Sequence, residues 1–163
     1  MESAGIVIIA VAGACTGRDF ERAVEADIRL AGTGASFSVD GVGDLAACAR
    51  RLTLLLGEAR AKEIVLGGRT MDAGAALRLG IVTRVVPATS LAETVSALVD
   101  RLAGLPPLAL TAVRDAVRAG RRLTLDAALA LEHEHFRRLI ATRDHAAAVE
   151  AFFERRTAVF TGE

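Results

Sequence analysis

Net charge, clustered cysteines and a basic leader are all missing from this chain, and each absence removes a class of function. Twenty Lys and Arg balance twenty Asp and Glu across 163 residues. No broad field of one sign is therefore available to attract a nucleic acid or an anionic membrane. Lysine occurs only at Lys62, so arginine supplies the rest of the basic charge. Cys15 and Cys48 stand alone, without CxxC spacing or a neighbouring histidine cluster. Neither a zinc site nor a disulfide framework is indicated, and a reducing cytoplasm is the expected setting. The opening MESAGIVIIAVAGAC imitates a signal sequence, but it lacks a positive n-region, carries Glu2 instead and is too short to span a bilayer. There is no internal repeat and no low-complexity linker.

What is present is apolar. Hydrophobic residues make up 52% of the chain and charged residues 25%. A chain of this length is about one domain and buries roughly 68–70% of its unfolded surface, so part of the apolar surplus is expected at a subunit interface. Residues 5–12 form a β-branched run ending at Gly13, which suits a strand covered on both faces. A short helix is expected over 18–26. DIRLAG and ASFSV follow as short strands around the Gly32-Thr33-Gly34 turn. Helical patterns cover 45–56 and 58–66, with Gly57 as the joint. Asp72 is placed to cap a two-turn helix that Gly80 ends, and IVTRVV reads as a strand closed by Pro87. Beyond it, helices are expected over 89–103, 106–120, 124–141 and 144–156. Strands first and helices last predict a small α/β layer with a helical C-terminal extension.

Two patterns invite chemistry. On the 18–26 helix, Phe20, Ala23, Val24 and Ile28 share an apolar face, while Arg18, Glu21, Arg22 and Glu25 share the other in opposite-sign i,i+3 pairs. That arrangement predicts a solvated, salt-bridged Glu21. In LEHEHF, His133 and His135 alternate with Glu132 and Glu134. Residues two apart on a helix point about 200° away from each other, so the two rings cannot share one ion and no metal site is expected.

The runs GEARAKEIVLGGRTMDAGAALRLGIVTRVVP, PPLAL, ALEHEHF, TRD and AFFERRTAVFTG resemble the enoyl-CoA hydratase/isomerase, or crotonase, superfamily. IVIIAVAGACTGRDFERAVEADIRLAGTGASFSV resembles the segment forming half of that family's active site. The resemblance implies an N-terminally truncated member. Its α/β fold would be a partial crotonase-like ββα spiral over 1–87, followed by a C-terminal helical oligomerisation region over 88–163. It implies an acyl-CoA or other acyl thioester as substrate, no cofactor, and a trimer or hexamer or an assembly with a full-length homologue.

By the same resemblance, the turn Gly17-Arg18-Asp19 stands where consecutive glycines are common, and the Arg18 amide would be an oxyanion donor. The bland alternative is an ordinary strand-to-helix turn with Asp19 near the N-cap. Glu21 aligns with one catalytic carboxylate. The second falls at Gly41 with Asp40 beside it, so it is lost or displaced by one residue. Phe136 aligns with an aromatic that packs on a neighbouring subunit's CoA, and Arg155 with a basic residue that meets its phosphates. The family's Glu-Gly pair after TRD is Ala147-Ala148 here. Three functions stay open: hydratase/isomerase-type chemistry by enolate stabilisation, a non-catalytic partner or scaffold, and a single-carboxylate isomerase.

Overall fold

The computed structural model describes residues 5–163. Glu2, the charge that argues against a leader, lies outside them. The chain divides into two compact units, one of Val7–Ser96 and one built on Ala97–Glu163.

The first unit holds two small sheets. In one, β1 (Ile8–Val11), β3 (Ile28–Gly32) and β6 (Arg84–Val86) run parallel in the order β1-β3-β6. In the other, β2 (Ala14–Cys15) lies parallel to β4 (Ser36–Phe37), which pairs antiparallel with β5 (Met71–Asp72). The helix α1 (Gly17–Glu25) joins β2 to β3 and buries Phe20, Ala23 and Val24 at i, i+3 and i+4. Phe37, Leu52, Ile81 and Val82 complete the same core.

Capping and glycine set the remaining boundaries. The Asp44 carboxylate accepts from the Ala47 amide at 2.9 Å and starts α2 (Leu45–Leu56). Gly57, at φ 83°, separates it from α3 (Glu58–Gly67). Asp72 accepts from the Ala75 amide at 2.6 Å and opens α4 (Ala73–Leu79), which Gly80 closes at φ 84°.

Several elements differ from the sequence reading. The first strand is shorter than residues 5–12, and it sits at a sheet edge rather than under cover on both faces, with Ala10 exposed. Of IVTRVV only Arg84–Val86 is strand, because Ile81 and Val82 turn inward off Gly80 to fill the core. β2 and β5 escape notice because two residues carry no periodicity. Arg29 is also unexpected: it is buried within β3, donating through Nε to the Ile81 carbonyl at 2.6 Å and through Nη1 to the Ala26 carbonyl at 2.5 Å. Burial, aided by the Arg51 charge, lowers its pKa.

After a 3₁₀ turn at Ala88–Ser90, α5 (Leu91–Ala103) carries the division between the units. The second unit packs α6 (Pro107–Gly120) on α7 (Leu125–Leu139) and ends with α8 (Arg143–Glu154). Thr124 and Thr142 cap α7 and α8 through their side chains. The tail then returns to the start of α8. There the buried Asp144 carboxylate accepts from the amides of Thr161 at 2.7 Å and Gly162 at 3.0 Å. The Asp144 amide donates to the Glu163 carbonyl at 3.1 Å, and Arg143 pairs with the Glu163 carboxylate at 2.8 Å.

Candidate active site

The turn from β2 into α1 is built on one glycine. Gly17 adopts φ +55°, and its amide donates to the Asp40 carbonyl at 2.8 Å. A Cβ placed there would stand 3.1 Å from the Gly41 carbonyl oxygen. Arg18 and Asp19 have ordinary negative φ and belong to the helix. The turn therefore forms without glycine at either position, since the left-handed geometry falls only on Gly17.

Helix starts leave several N–H groups without intrahelical partners. In α1 the amides of Asp19 and Phe20 donate to the Thr16 carbonyl at 3.1 and 3.4 Å. The Thr16 side chain caps nothing. The Arg18 amide has no partner among the described residues and lies on the exposed first turn of the helix. It is free to donate, at the positive end of the α1 dipole.

One turn further on, Glu21 corrects the expectation of a salt-bridged surface residue. No ion pair links Arg18, Glu21, Arg22 and Glu25 among the described residues. Instead, Glu21 Oε1 accepts from the Gly43 amide at 2.5 Å and the Asp44 amide at 3.0 Å. Those amides precede α2, so the carboxylate holds the loop between β4 and α2 against α1. Its second oxygen has no partner among the described residues. Glu21 is half-buried, with one oxygen fixed and the other available.

Asp40 shares that loop. Its backbone carbonyl receives the Gly17 amide, and Ser38, itself buried, holds its carboxylate: the Ser38 hydroxyl donates to Oδ2 while the Asp40 amide donates to Ser38 Oγ at 2.9 Å. Gly41 adopts φ +70°, a turn conformation suited to glycine. Arg18, Glu21 and Asp40 thus converge on one neighbourhood through Gly17 and the 40–44 loop. Phe136 and Arg155 belong to the second unit. Phe136 is exposed on α7, and Arg155 is exposed at the end of α8, where it is the only non-glycine residue with positive φ among those described.

Nearby, a groove of about 370 Å³ follows Ile8–Cys15 along β1 and reaches Asp19 and Arg22. Neither Arg18 nor Glu21 lines it. Burial, and then the charge of Asp19, push the Cys15 thiol up to about 11, so this cysteine is not a nucleophile at neutral pH. Among the described residues no group of three or more His, Cys, Asp or Glu is arranged to hold a metal ion, and no helix is long and apolar enough to cross a membrane.

The enoyl-CoA hydratase/isomerase family model matches residues 1–163. The chain belongs to the enoyl-CoA hydratase/isomerase family. It is 32% identical to the short-chain-enoyl-CoA hydratase of Clostridium acetobutylicum over 92% of this chain and 59% of that protein. It is 33% identical to the 2,3-dehydroadipyl-CoA hydratase of Escherichia coli over 96% of this chain and 63% of the relative. The crystal structure of an enoyl-CoA hydratase from Bacillus anthracis superposes with a TM-score of 0.84 at 30% identity, covering 93% of this chain and 60% of the other. The fold is thus the α/β crotonase fold, and the chain spans about 60% of the length of the relatives it matches.

The amides of Gly43 and Asp44, which hold Glu21, were not foreseen from the sequence. They lie 22 and 23 residues from it, and nothing local marks a backbone N–H as a carboxylate's partner. Asp44 did carry one signal, since an acidic residue just before a helical run is a cap pattern.

Proposed function

We propose that this chain acts on an acyl-CoA thioester by enoyl-CoA hydratase/isomerase-type chemistry. The observation that carries the reading is the free Arg18 amide one helical turn from the half-tethered Glu21 carboxylate. A thioester carbonyl oxygen set against the Arg18 N–H would accept its hydrogen bond as negative charge develops there. A single such donor is worth about 3–4 kcal/mol in the transition state. Glu21 would then move the proton at the adjacent carbon through its free oxygen, while Gly43 and Asp44 keep the other oxygen in place. Hydration also needs a second carboxylate, and Asp40 on the shared loop is the group that stands next to position 41. The hydratase names of the relatives favour this direction.

Contact with the CoA bound to a neighbouring subunit is assigned to Phe136 and Arg155. Arg156 is taken up by Glu150 at 2.8 Å and Glu154 at 2.5 Å, whereas the neighbouring Arg155 guanidinium has no partner among the described residues. An unpaired arginine beside a paired one is the better placed to meet a phosphate.

Glu21→Gln tests the reading. Glutamine keeps an oxygen to accept from Gly43 and Asp44, so melting should be nearly unchanged. Crotonyl-CoA turnover should fall by about 10²–10⁴, the usual contribution of a general acid or base. CoA titration of Arg155→Ala should show binding weakened at least about tenfold and less sensitive to salt. Turnover indifferent to Glu21→Gln, with CoA heats unchanged by Arg155→Ala, would leave the non-catalytic partner reading standing.

A further inference from the structure

An open groove of about 400 Å³ is lined by residues of α3, α4 and the segment that joins them. α3 contributes Arg60, Glu63, Ile64 and Gly67, spaced i, i+3, i+4 and i+7 and therefore on one helical face. α4 contributes Ala75, Arg78 and Leu79 in the same way, and the connecting segment adds Arg69 and Met71. The floor is apolar: Ile64, Met71 and Ala75 are buried, with Leu79 partly covered. The rim carries three guanidinium groups and one carboxylate.

Charge on this rim is unbalanced. Arg60, Arg69 and Arg78 form no ion pair or hydrogen bond with any described residue, and Glu63 joins none of them. Lys62, on the same α3, pairs with Glu58 at 2.5 Å, so a cation on this helix takes a partner where the sequence provides one. Gly67 is the one glycine in the lining. Gly67 does not have positive φ, and a Cβ built on it meets nothing within 4 Å. Glycine is not required there by the backbone, so a larger side chain can be introduced at this position without strain.

An apolar floor under three uncompensated arginines matches one ligand chemistry. Aliphatic chain fits the floor, and a carboxylate or phosphate fits the planar fork of arginine. We infer that the α3–α4 groove binds a small amphiphilic anion, an alkyl chain ending in a carboxylate or a phosphate. It contains none of Arg18, Glu21, Asp40, Phe136 or Arg155, and the inference does not rest on the thioester reading.

Met71 supplies the test, because the only other methionine is Met1 and the Met71 methyl on the groove floor is a single internal NMR reporter. The full chain is titrated separately with octanoate, octyl phosphate, octanol and inorganic phosphate. Octanoate or octyl phosphate should shift the Met71 signal saturably, the tighter of the two naming the head group. Octanol and inorganic phosphate should each bind at least about tenfold more weakly, because each lacks one half of the match. The double variant Arg69→Ala/Arg78→Ala should lose at least about tenfold in affinity. Gly67→Leu should block the alkyl chain while leaving the charges in place. No Met71 shift with either amphiphilic anion, equal binding of octanol, or full binding to Gly67→Leu would each overturn the assignment.

Discussion

Gly17 and Arg155 occupy the same region of backbone space with opposite consequences. At Gly17 the positive φ coincides with a close approach to the Gly41 carbonyl, so any side chain meets both strain and contact. Gly17→Ala should destabilise the chain by roughly 1–3 kcal/mol in urea denaturation and disturb the turn that presents the Arg18 amide. A variant as stable as the parent would show that the turn tolerates a Cβ. Arg155 is the reverse case. It holds φ 54° at the end of α8, a position where helices commonly place glycine. Arg155→Gly should therefore raise stability by up to about 1 kcal/mol while weakening CoA binding as Arg155→Ala does. If stability rose and CoA binding stayed constant, the strained cation would have no role in binding.

Among the elements, α8 and the tail form a closed device. Asp144 at the helix start holds two tail amides, Arg143 holds the Glu163 side-chain carboxylate, and Arg156 closes the other end onto Glu150 and Glu154. Only the Asp144 contacts are buried, and the ion pairs are exposed enough to contribute little. Asp144→Ala should cost roughly 2–4 kcal/mol, since it removes two charge-assisted hydrogen bonds at a buried site. The residues after Arg156 should also become open to limited proteolysis. Digestion at the parent rate would mean that the latch does not hold the tail. Helix α1 shows a second pattern: its apolar face is packed as the periodicity requires, but its polar face is organised by a loop far along the chain rather than by its own charges.

For the whole molecule, exposed apolar surface is the feature that the core leaves over. Phe152 and Phe153, in edge-to-face contact 5.7 Å apart, are 79% and 78% exposed, and Phe136 is 61% exposed. Val113, Val117, Leu125 and Val159 are exposed as well. Large apolar patches mark surfaces that meet a partner. Sedimentation at micromolar concentration should find an assembly larger than one chain, and Phe152→Glu/Phe153→Glu should reduce it. A monomeric parent would contradict the oligomer proposed from the family resemblance.

Much of this was legible in the residues because it is local. Periodicity placed α1 to α4 and the C-terminal helices, Asp72 and Gly80 bounded α4, and the ordered motifs from Gly57 to Pro87 pointed to the crotonase fold. The periodicity and caps depend on neighbours within a turn or two of chain, and the motifs on the order of residues along it. The partner of Glu21 does not, and the wheel that placed it among surface ion pairs could not see the amides of Gly43 and Asp44. Nor could sequence reveal that one glycine carries all the positive φ of the Gly17-Arg18-Asp19 turn, that Arg29 is buried against carbonyls near and far, or that Arg60, Arg69 and Arg78 rim one groove between successive helices. Charge and polar groups act through space, so their partners are chosen only once the backbone has brought distant segments together.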